Sequence, residues 1–554
     1  MKQDITQIIQ RLYDIDVDVV LTRPDAKFGD YATNVALQLA KPLARNPREI
    51  AEEVADALRQ SDEFSEISVA GPGFINIRLS DKALLGLALR EPELQYSGTN
   101  FVIEYSCPNA FKELHTGHLY QTIFGDILAR LIEQSGATVH RTSFGGDVGL
   151  HVAKCVWGMI DRLGGELPEK LSEVESSAFE RARWISQCYV RGAKAYEEDV
   201  TAKSAIDELN KTIYSLHEDD SQTPLAKIYW KTRQWSFDYF KAFYDLIQVD
   251  DMNYYPESQT APVGMAVVKE QLKLGNLKRS EGAVVFEGDE SKNLHTRVFV
   301  TSKGLPTYET KDIGVIWKEK SDYNFDKRIL LTGNDQREYM RVVFSAAEKF
   351  RPELVDKMVH LTNGTVRFGD GTKMSSRLGN VSRAADVIDI VRNKVEEIIQ
   401  DKTLAEDVTL GAIKYVFAKY RLGGDIAFNV EETVTLQGNS GPYLQYAHAR
   451  ACSILAKSSI KPERGAVEFD ENERLLLRKI GEYSEIVEQS AREFTTHHIC
   501  NYLYELAQEF NRFYEKSRVI GDEREAIRLN LVHLYRDTLA SGLAVLGIVA
   551  PEKL

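Results

Sequence analysis

Apolar residues recur along this chain with two periods. After Asn46 and Pro47, Ile50, Val54 and Leu58 stand four apart on one helical face, and Pro at the first helical position marks the start. Phe74 to Leu79 alternates Ile75, Ile77 and Leu79 against Asn76 and Arg78, the period of a half-buried strand. Ile67 to Val69 reads as a second strand, with the turn at the glycines around Pro72. Residues 1–98 therefore read as an α+β module. The pattern then changes. Phe101-Val102-Ile103 is a short apolar run closed by Glu104, followed by a loop with Pro108 and Asn109. Ile123, Ile127 and Leu131 give a helix, and Thr138 to Phe144 the next strand. Such a β-loop-α-β unit crosses over right-handed and predicts a parallel sheet. Ala283–Phe286, Arg297–Val300, Ile329–Thr332 and Val359–Thr362 read as strands that resume it. Between about 158 and 250 the sequence is helical and charged, an insertion in which Trp184, Trp230 and Trp235 read as core. From about Asp386 onward a 3.6-residue period runs through Tyr443–Leu455, Glu473–Phe494, Asn501–Lys516 and Glu523–Leu546. An all-α bundle is expected there.

The polar positions with chemistry gather where the strands end. In parallel sheets ligands sit at the carboxyl ends of the strands, and Glu104, Asn109, His115 and His118 all follow the first one. His115-Thr116-Gly117-His118 opens a helix. Two imidazoles one turn apart offer N–H donors, and the helix N-terminus welcomes an anion. Gly117 leaves room for a flat ligand. A triphosphate attacked at its α-phosphorus suits such a site.

Composition sets the outer limits. The 554 residues suffice for three or four domains. No apolar run has the length of a transmembrane helix, since the longest, near Leu539 to Ala550, is broken by Ser541, Gly542 and Gly547. The N-terminus lacks the form of a signal peptide. Cys107, Cys155, Cys188, Cys452 and Cys500 are scattered, with no CxxC pair. This argues against a structural zinc site and for a reducing cytoplasm. A net charge of −14 opposes a nucleic-acid partner on bulk electrostatics. A local basic surface is nevertheless enough to meet phosphates.

Downstream lies GTKMSSRLGN, Gly371 to Asn380. With HTGH it resembles the paired HIGH and KMSKS signatures of class I aminoacyl-tRNA synthetases, carried on a Rossmann-type domain. EYSCPN, YETKD, GNDQ and GPYLQYAHAR extend the resemblance to arginyl-tRNA synthetases over most of the chain. The resemblance implies an α/β Rossmann-type catalytic domain at 99–385 with the insertion inside it. Before it comes an N-terminal domain at 1–98 that touches the tRNA elbow, and after it an anticodon-binding bundle at 386–554. The implied activity is ATP-dependent ligation of L-arginine to the 2′-hydroxyl of the terminal adenosine of tRNA(Arg). It proceeds through an arginyl-adenylate and releases AMP and pyrophosphate. Mg²⁺ is expected with ATP and without a dedicated protein site, and the enzyme is expected to be a monomer. Bound tRNA is expected to be needed for adenylate formation.

Residue by residue, the resemblance places His115, Gly117, His118, Lys373, Met374, Ser375, Ser376 and Arg377 at ATP. Lys112, His115, His118 and Lys373 are the catalytic set. Glu104, Ser106, Asn109, Tyr308, Asp312 and Gln336 are assigned to arginine: Glu104 and Asp312, with Tyr308, to its guanidinium, and Asn109 and Gln336 to its α-amino end. A guanidinium is a planar fork of donors, which carboxylates in its plane match. The structural alternative has Asp312 capping a helix that begins near Ile313, and Glu104 paired with an arginine of the core. Tyr443, Tyr446 and Arg450 are assigned to tRNA, with core tyrosines as the alternative.

Two departures from the family pattern stand out. Ser376 occupies the place of the second signature lysine, and Lys112, three residues before His115, is the candidate for the missing charge. Val148 and His151 replace the usual Trp and Gln of GDVGLH. A non-catalytic tRNA-binding paralogue is the competing reading. Another class I synthetase, or a smaller HxGH nucleotidyltransferase, are further ones. Both histidines and Lys373 argue against the first.

Overall fold

The parallel sheet that positions the site has five strands. In the computed structural model, which describes residues 1–218, 221–368, 383–463, 465 and 468–554, they are β1 (Asn100–Glu104), β2 (Thr138–Gly145), β3 (Asn253–Pro256), β4 (Lys327–Gly333) and β5 (Met358–Asn363). Their order is β5-β4-β1-β2-β3, with every pairing parallel. The chain leaves β1 toward β2 and β3, then returns to lay β4 and β5 on the other side. The direction of travel thus reverses between β1 and β4, and a crevice opens at their carboxyl ends. Helix α1 (Thr116–Gln134) follows β1. Its buried Leu119, Ile123, Ile127 and Leu131 cover the sheet at the predicted spacing.

Three differences from the sequence reading follow from pairing partners, which no local pattern specifies. Ala283–Phe286 and Arg297–Val300 are strands, but they form a separate three-stranded antiparallel sheet with Lys278–Ser280. The helix bearing Tyr308 and Asp312 therefore leaves an antiparallel ribbon, not a strand of the parallel sheet. Ile426–Phe428, within the stretch read as all helical, pairs in parallel with Val366–Phe368. Glu473–Phe494 is two helices, Glu471–Ile480 and Tyr483–Glu493. At the break, a side chain on Gly481 would press on Leu87, 3.2 Å away.

The N-terminal domain has the expected α+β form. Its four-stranded antiparallel sheet runs Leu21–Thr22, Tyr31–Thr33, Phe74–Leu79, Phe64–Ala70 in spatial order. Asn46 caps the helix Pro47–Leu58 by accepting from the Arg48 amide at 2.9 Å. This domain docks on the C-terminal bundle through buried charge. Arg474 of the bundle bonds Asp30 at 3.0 Å and also Asp81, and Arg23 bonds Glu485 at 3.0 Å. Between β2 and β3, the region that holds the insertion opens with a helix at Leu150–Leu163. It continues through α2 (Ala178–Glu198), Val200–Ser215 and α3 (Pro224–Leu246). Among the described residues no helix is long and apolar enough to cross a membrane.

Candidate active site

The HxGH segment builds its own helix cap. His115 is the N-cap residue of α1, and its Nδ1 accepts from the amides of Gly117 (3.0 Å) and His118 (3.3 Å). His118 Nδ1 accepts in return from the His115 amide at 3.2 Å. This is a capping box made of two histidines. The rings stack, with centroids 3.8 Å apart and planes 23° apart. A backbone N–H can only donate, so each Nδ1 is an acceptor and each ring proton sits on Nε2. The pair therefore presents two Nε2–H donors away from the helix. Desolvation, with the Lys112 charge behind it, lowers the pKa of His115. His118 falls well below the usual imidazole range, through desolvation first and then His115 and Lys112. Both rings are neutral donors near pH 7.

This geometry corrects two sequence expectations. The first amides of α1 were expected to face an anion, but two of them are taken by His115. Gly117 was expected to admit a ligand. A Cβ there would lie 2.9 Å from His115 Cε1, so the glycine makes room for the folded-back imidazole.

The remaining predicted residues divide by surroundings. Lys112 lies over the Tyr189 ring at 4.3 Å, and its charge reaches His115, His118 and His151. Lys373, Met374, Ser375, Ser376 and Arg377 lie outside the described residues. The described chain resumes beside the histidines. Arg383 forms an antiparallel bridge with His115 and the Ala384 amide bonds Leu114 O at 2.9 Å.

Glu104, at the end of β1, is buried against Arg328 of β4. Arg328 also donates from Nε to Glu319 at 2.6 Å. Burial pushes the Glu104 carboxyl up, against the pull of Arg328. The structural alternative thus holds for Glu104, whose partner is a core arginine. It fails for Asp312. Helix α4 (Tyr308–Tyr323) starts four residues earlier with Thr307 at its N-cap, so Asp312 is not a cap. Asp312 accepts from the Tyr339 hydroxyl. Desolvation raises its pKa to about 7, with the Tyr339 bond and Arg328 pulling down. Helix α4 packs against β1, and the Asp312 charge acts on Glu104 and Arg328, so the two predicted carboxylates lie near one another. Tyr308, 67% exposed, lies at the surface one turn away, beside Lys311 at 5.0 Å.

Ser106 requires correction. Its buried hydroxyl accepts from Thr122 at 2.8 Å and meets the Tyr244 hydroxyl at 3.1 Å. It ties the loop down instead of facing the crevice. Asn109 is exposed, and its Oδ1 accepts from the Gly146 amide at 2.8 Å. That leaves its Nδ2 donors, which suit a carboxylate better than an ammonium. Gln336 follows β4, exposed at the same edge. In GDVGLH, Asp147 is buried and bonds Arg233 Nε at 2.8 Å and the Ser258 amide at 2.9 Å. Val148 is core. His151 is lowered to about 4, by burial first and Lys112 second.

In helix α5 (Gly441–Ala456), Tyr446 is 43% exposed. Tyr443 is half-buried, edge-on to Tyr504 at 5.7 Å, with its hydroxyl accepting from Asn511. Arg450 donates to Asn511 at 3.0 Å and covers the Tyr514 ring at 4.6 Å. Of the three, Tyr446 offers the free surface. Arg328, Tyr339, Tyr189 and Arg383 were missed. Each joins the site from a distant stretch, and only Arg383 has a local cue, its place just after the signature loop.

A five-stranded parallel sheet with a histidine-capped helix at its switch point, extended by a helical bundle, is the architecture of a class I aminoacyl-tRNA synthetase. The fold agrees. The chain superposes on methionyl-tRNA synthetase from Mycobacterium tuberculosis with a TM-score of 0.52 at 12% identity, covering 82% of this chain and 92% of that one. On the Thermus thermophilus arginyl-tRNA synthetase the TM-score is 0.82 at 24% identity, covering 100% and 99%. Family models match in chain order. They are the arginyl tRNA synthetase N terminal domain at 1–79, the class I (R) tRNA synthetase catalytic domain at 83–417 and the DALR anticodon binding domain at 444–554. Arginine–tRNA ligase of Aliivibrio fischeri is 30% identical, over 96% of this chain and 94% of its own. That of Pasteurella multocida is 31% identical, over 96% and 98%. The chain belongs to the arginyl-tRNA synthetase family, enzymes that ligate arginine to tRNA with ATP.

Proposed function

We propose that this chain joins L-arginine to the 2′-hydroxyl of the terminal adenosine of tRNA(Arg) in two steps at the β1–β4 crevice. In the first, the arginine carboxylate attacks the α-phosphorus of ATP, and pyrophosphate leaves. In the second, the ribose hydroxyl attacks the adenylate carbonyl, and AMP leaves. The first step needs in-line placement and charge stabilisation more than covalent help. The Nε2–H groups of His115 and His118 would donate to the phosphate oxygens, with the Lys112 ammonium beside them. Asp312 would hold the arginine side chain, with Tyr308 at the mouth and Glu104 behind it, held by Arg328. The observation that carries this reading is the proximity of Asp312 and Glu104 beside the strand that leads to the two fixed Nε2–H donors. Mg²⁺ would be carried by the triphosphate oxygens and offset their charge; we assign it no protein ligands. Tyr446 would meet the tRNA. A monomer in the cytoplasm completes the proposal.

Pyrophosphate exchange with each amino acid, with and without tRNA, tests it. Arginine should support exchange, and only when tRNA is present. Citrulline should be rejected, because its carbonyl oxygen would face a carboxylate. Lysine should fail because a point ammonium cannot fill a forked site. Exchange with another amino acid, or none with arginine, would refute the assignment.

The raised Asp312 pKa adds a pH signature. Below about 7 its carboxyl is protonated and gives up the charge-assisted bond to a guanidinium. Bound arginine stabilises the ionised form, so binding pulls the pKa down and releases a proton. Affinity must therefore rise with pH through 7 and level off above it. The KM for arginine should fall by about tenfold from pH 6 to pH 8, the ratio expected for one group titrating near 7. A KM flat over that range would remove Asp312 from the pocket.

A further inference from the structure

The loop from β1 to α1 is backbone in an unfavourable shape. Ser106, Cys107 and Phe111 all have left-handed φ, at 68°, 48° and 66°. For residues with side chains such conformations are strained and persist only where the surroundings over-determine them. Ser106 and Cys107 are held mainly by the sheet and α1, through Thr122 and Ser143, but from Phe111 onward the partners come from the insertion. The Phe111 amide donates to Ser236 Oγ at 3.1 Å, the Glu113 amide to Ser186 Oγ at 2.8 Å and the Leu114 amide to the Tyr239 hydroxyl at 3.2 Å. Ser186 lies on α2, and Ser236 and Tyr239 on α3. The Phe111 ring stacks on Tyr229 of α3, with centroids 5.8 Å apart and planes 19° apart.

Side chains of the same helices reach the residue between those amides. Tyr189, one turn after Ser186 on α2, places its ring under the Lys112 ammonium at 4.3 Å. Phe111, Glu113 and Leu114 are thus fixed by their amides and Lys112 by its charged end. The fixed loop then delivers His115 to its capping position. A helical insertion that served only as an outer layer would have no need to spend hydroxyls on the amides of this loop.

We infer that the insertion is the template of the activation site, and that Tyr189, Ser186, Ser236 and Tyr239 are positioning residues for ATP-dependent activation of arginine. Tyr189 acts on the reaction only through Lys112. The cation–π contact fixes the flexible lysine stem so that its charge stands beside the histidines. The inference rests on the proposed function above, because the reaction it positions is adenylate formation.

A double-mutant cycle tests it. Arginine-dependent pyrophosphate exchange with tRNA is measured for the parent, Tyr189→Leu, Lys112→Ala and the double variant. Tyr189→Leu should lower kcat about tenfold, within the range of a partly desolvated cation–π contact, and leave the arginine KM unchanged. In the Lys112→Ala background the same change should have no further effect. Tyr189→Phe, which keeps the ring, should restore parental kcat. Ser236→Ala removes an amide's partner and should also lower kcat, while Ser236→Thr should recover most of it. Losses that multiply in the double variant, or an unchanged kcat in Tyr189→Leu, would overturn the proposal. Should the parent itself lack arginine-dependent exchange, the functional reading fails instead, so the two failures are distinct.

Discussion

Asp312→Asn should weaken arginine use by roughly 30- to several-thousand-fold and leave the KM for ATP near its parental value. The carboxylate is half-buried, and its structural partner is the Tyr339 hydroxyl. Asparagine keeps the size of the side chain and an oxygen to accept that bond, so the fold should persist with little change in thermal midpoint. What it loses is the charge. It also sets an NH₂ donor against the donors of a guanidinium. Removing one partner of a buried, hydrogen-bonded charge pair costs ~2–5 kcal/mol, which converts to the stated range. Steady-state aminoacylation with arginine and ATP varied separately measures both effects. If Asp312→Asn charges tRNA as the parent does, the pocket lies elsewhere. Glu104 is a poorer test. Its loss would leave the buried Arg328 guanidinium with Glu319 as its one carboxylate partner, so folding and arginine recognition would be disturbed together.

His118→Ala should lower the activation rate by about 10²–10³-fold, the loss expected for one donor that strengthens as charge develops on phosphate. The effect belongs in kcat, because the bond matters most in the transition state. Both imidazoles are shifted down, His118 further than His115, so any histidine step in the parental kcat should lie below the ordinary imidazole range. His115→Ala should lose a comparable rate and more stability than His118→Ala, because His115 Nδ1 accepts from two amides and His118 Nδ1 from one. The His115 Nδ1 caps α1, and such a cap contributes about 1 kcal/mol. Rapid-quench measurement of adenylate formation, beside thermal unfolding, separates the two histidines. A His118→Ala enzyme that forms adenylate at the parental rate would exclude the HxGH pair from the chemistry.

The sequence by itself determined what depends on neighbours a few residues apart. The helix from Thr116, the Asn46 cap, the alternation of Phe74–Leu79 and most of the bundle helices were legible, because 3.6- and 2-residue periods are local geometry. The HxGH pair stands out in the sequence for the same reason. A capping box closes over three residues, and both histidines sit inside it. Even there, only the folded loop decided that the imidazoles cap the helix themselves and which ring nitrogen keeps the proton. Tertiary structure alone decided whatever crosses strands or helices. Arg328 reaches Glu104 across 224 residues of chain, because β4 lies beside β1 and nothing in either segment encodes that adjacency. The ribbon carrying Arg297–Val300 parted from the parallel sheet for the same reason. The hydroxyls of Ser186, Ser236 and Tyr239 look like ordinary helix residues in sequence. A backbone N–H carries no sequence signature and accepts any well-placed oxygen as its partner, so only packing of the insertion against the loop assigns those partners.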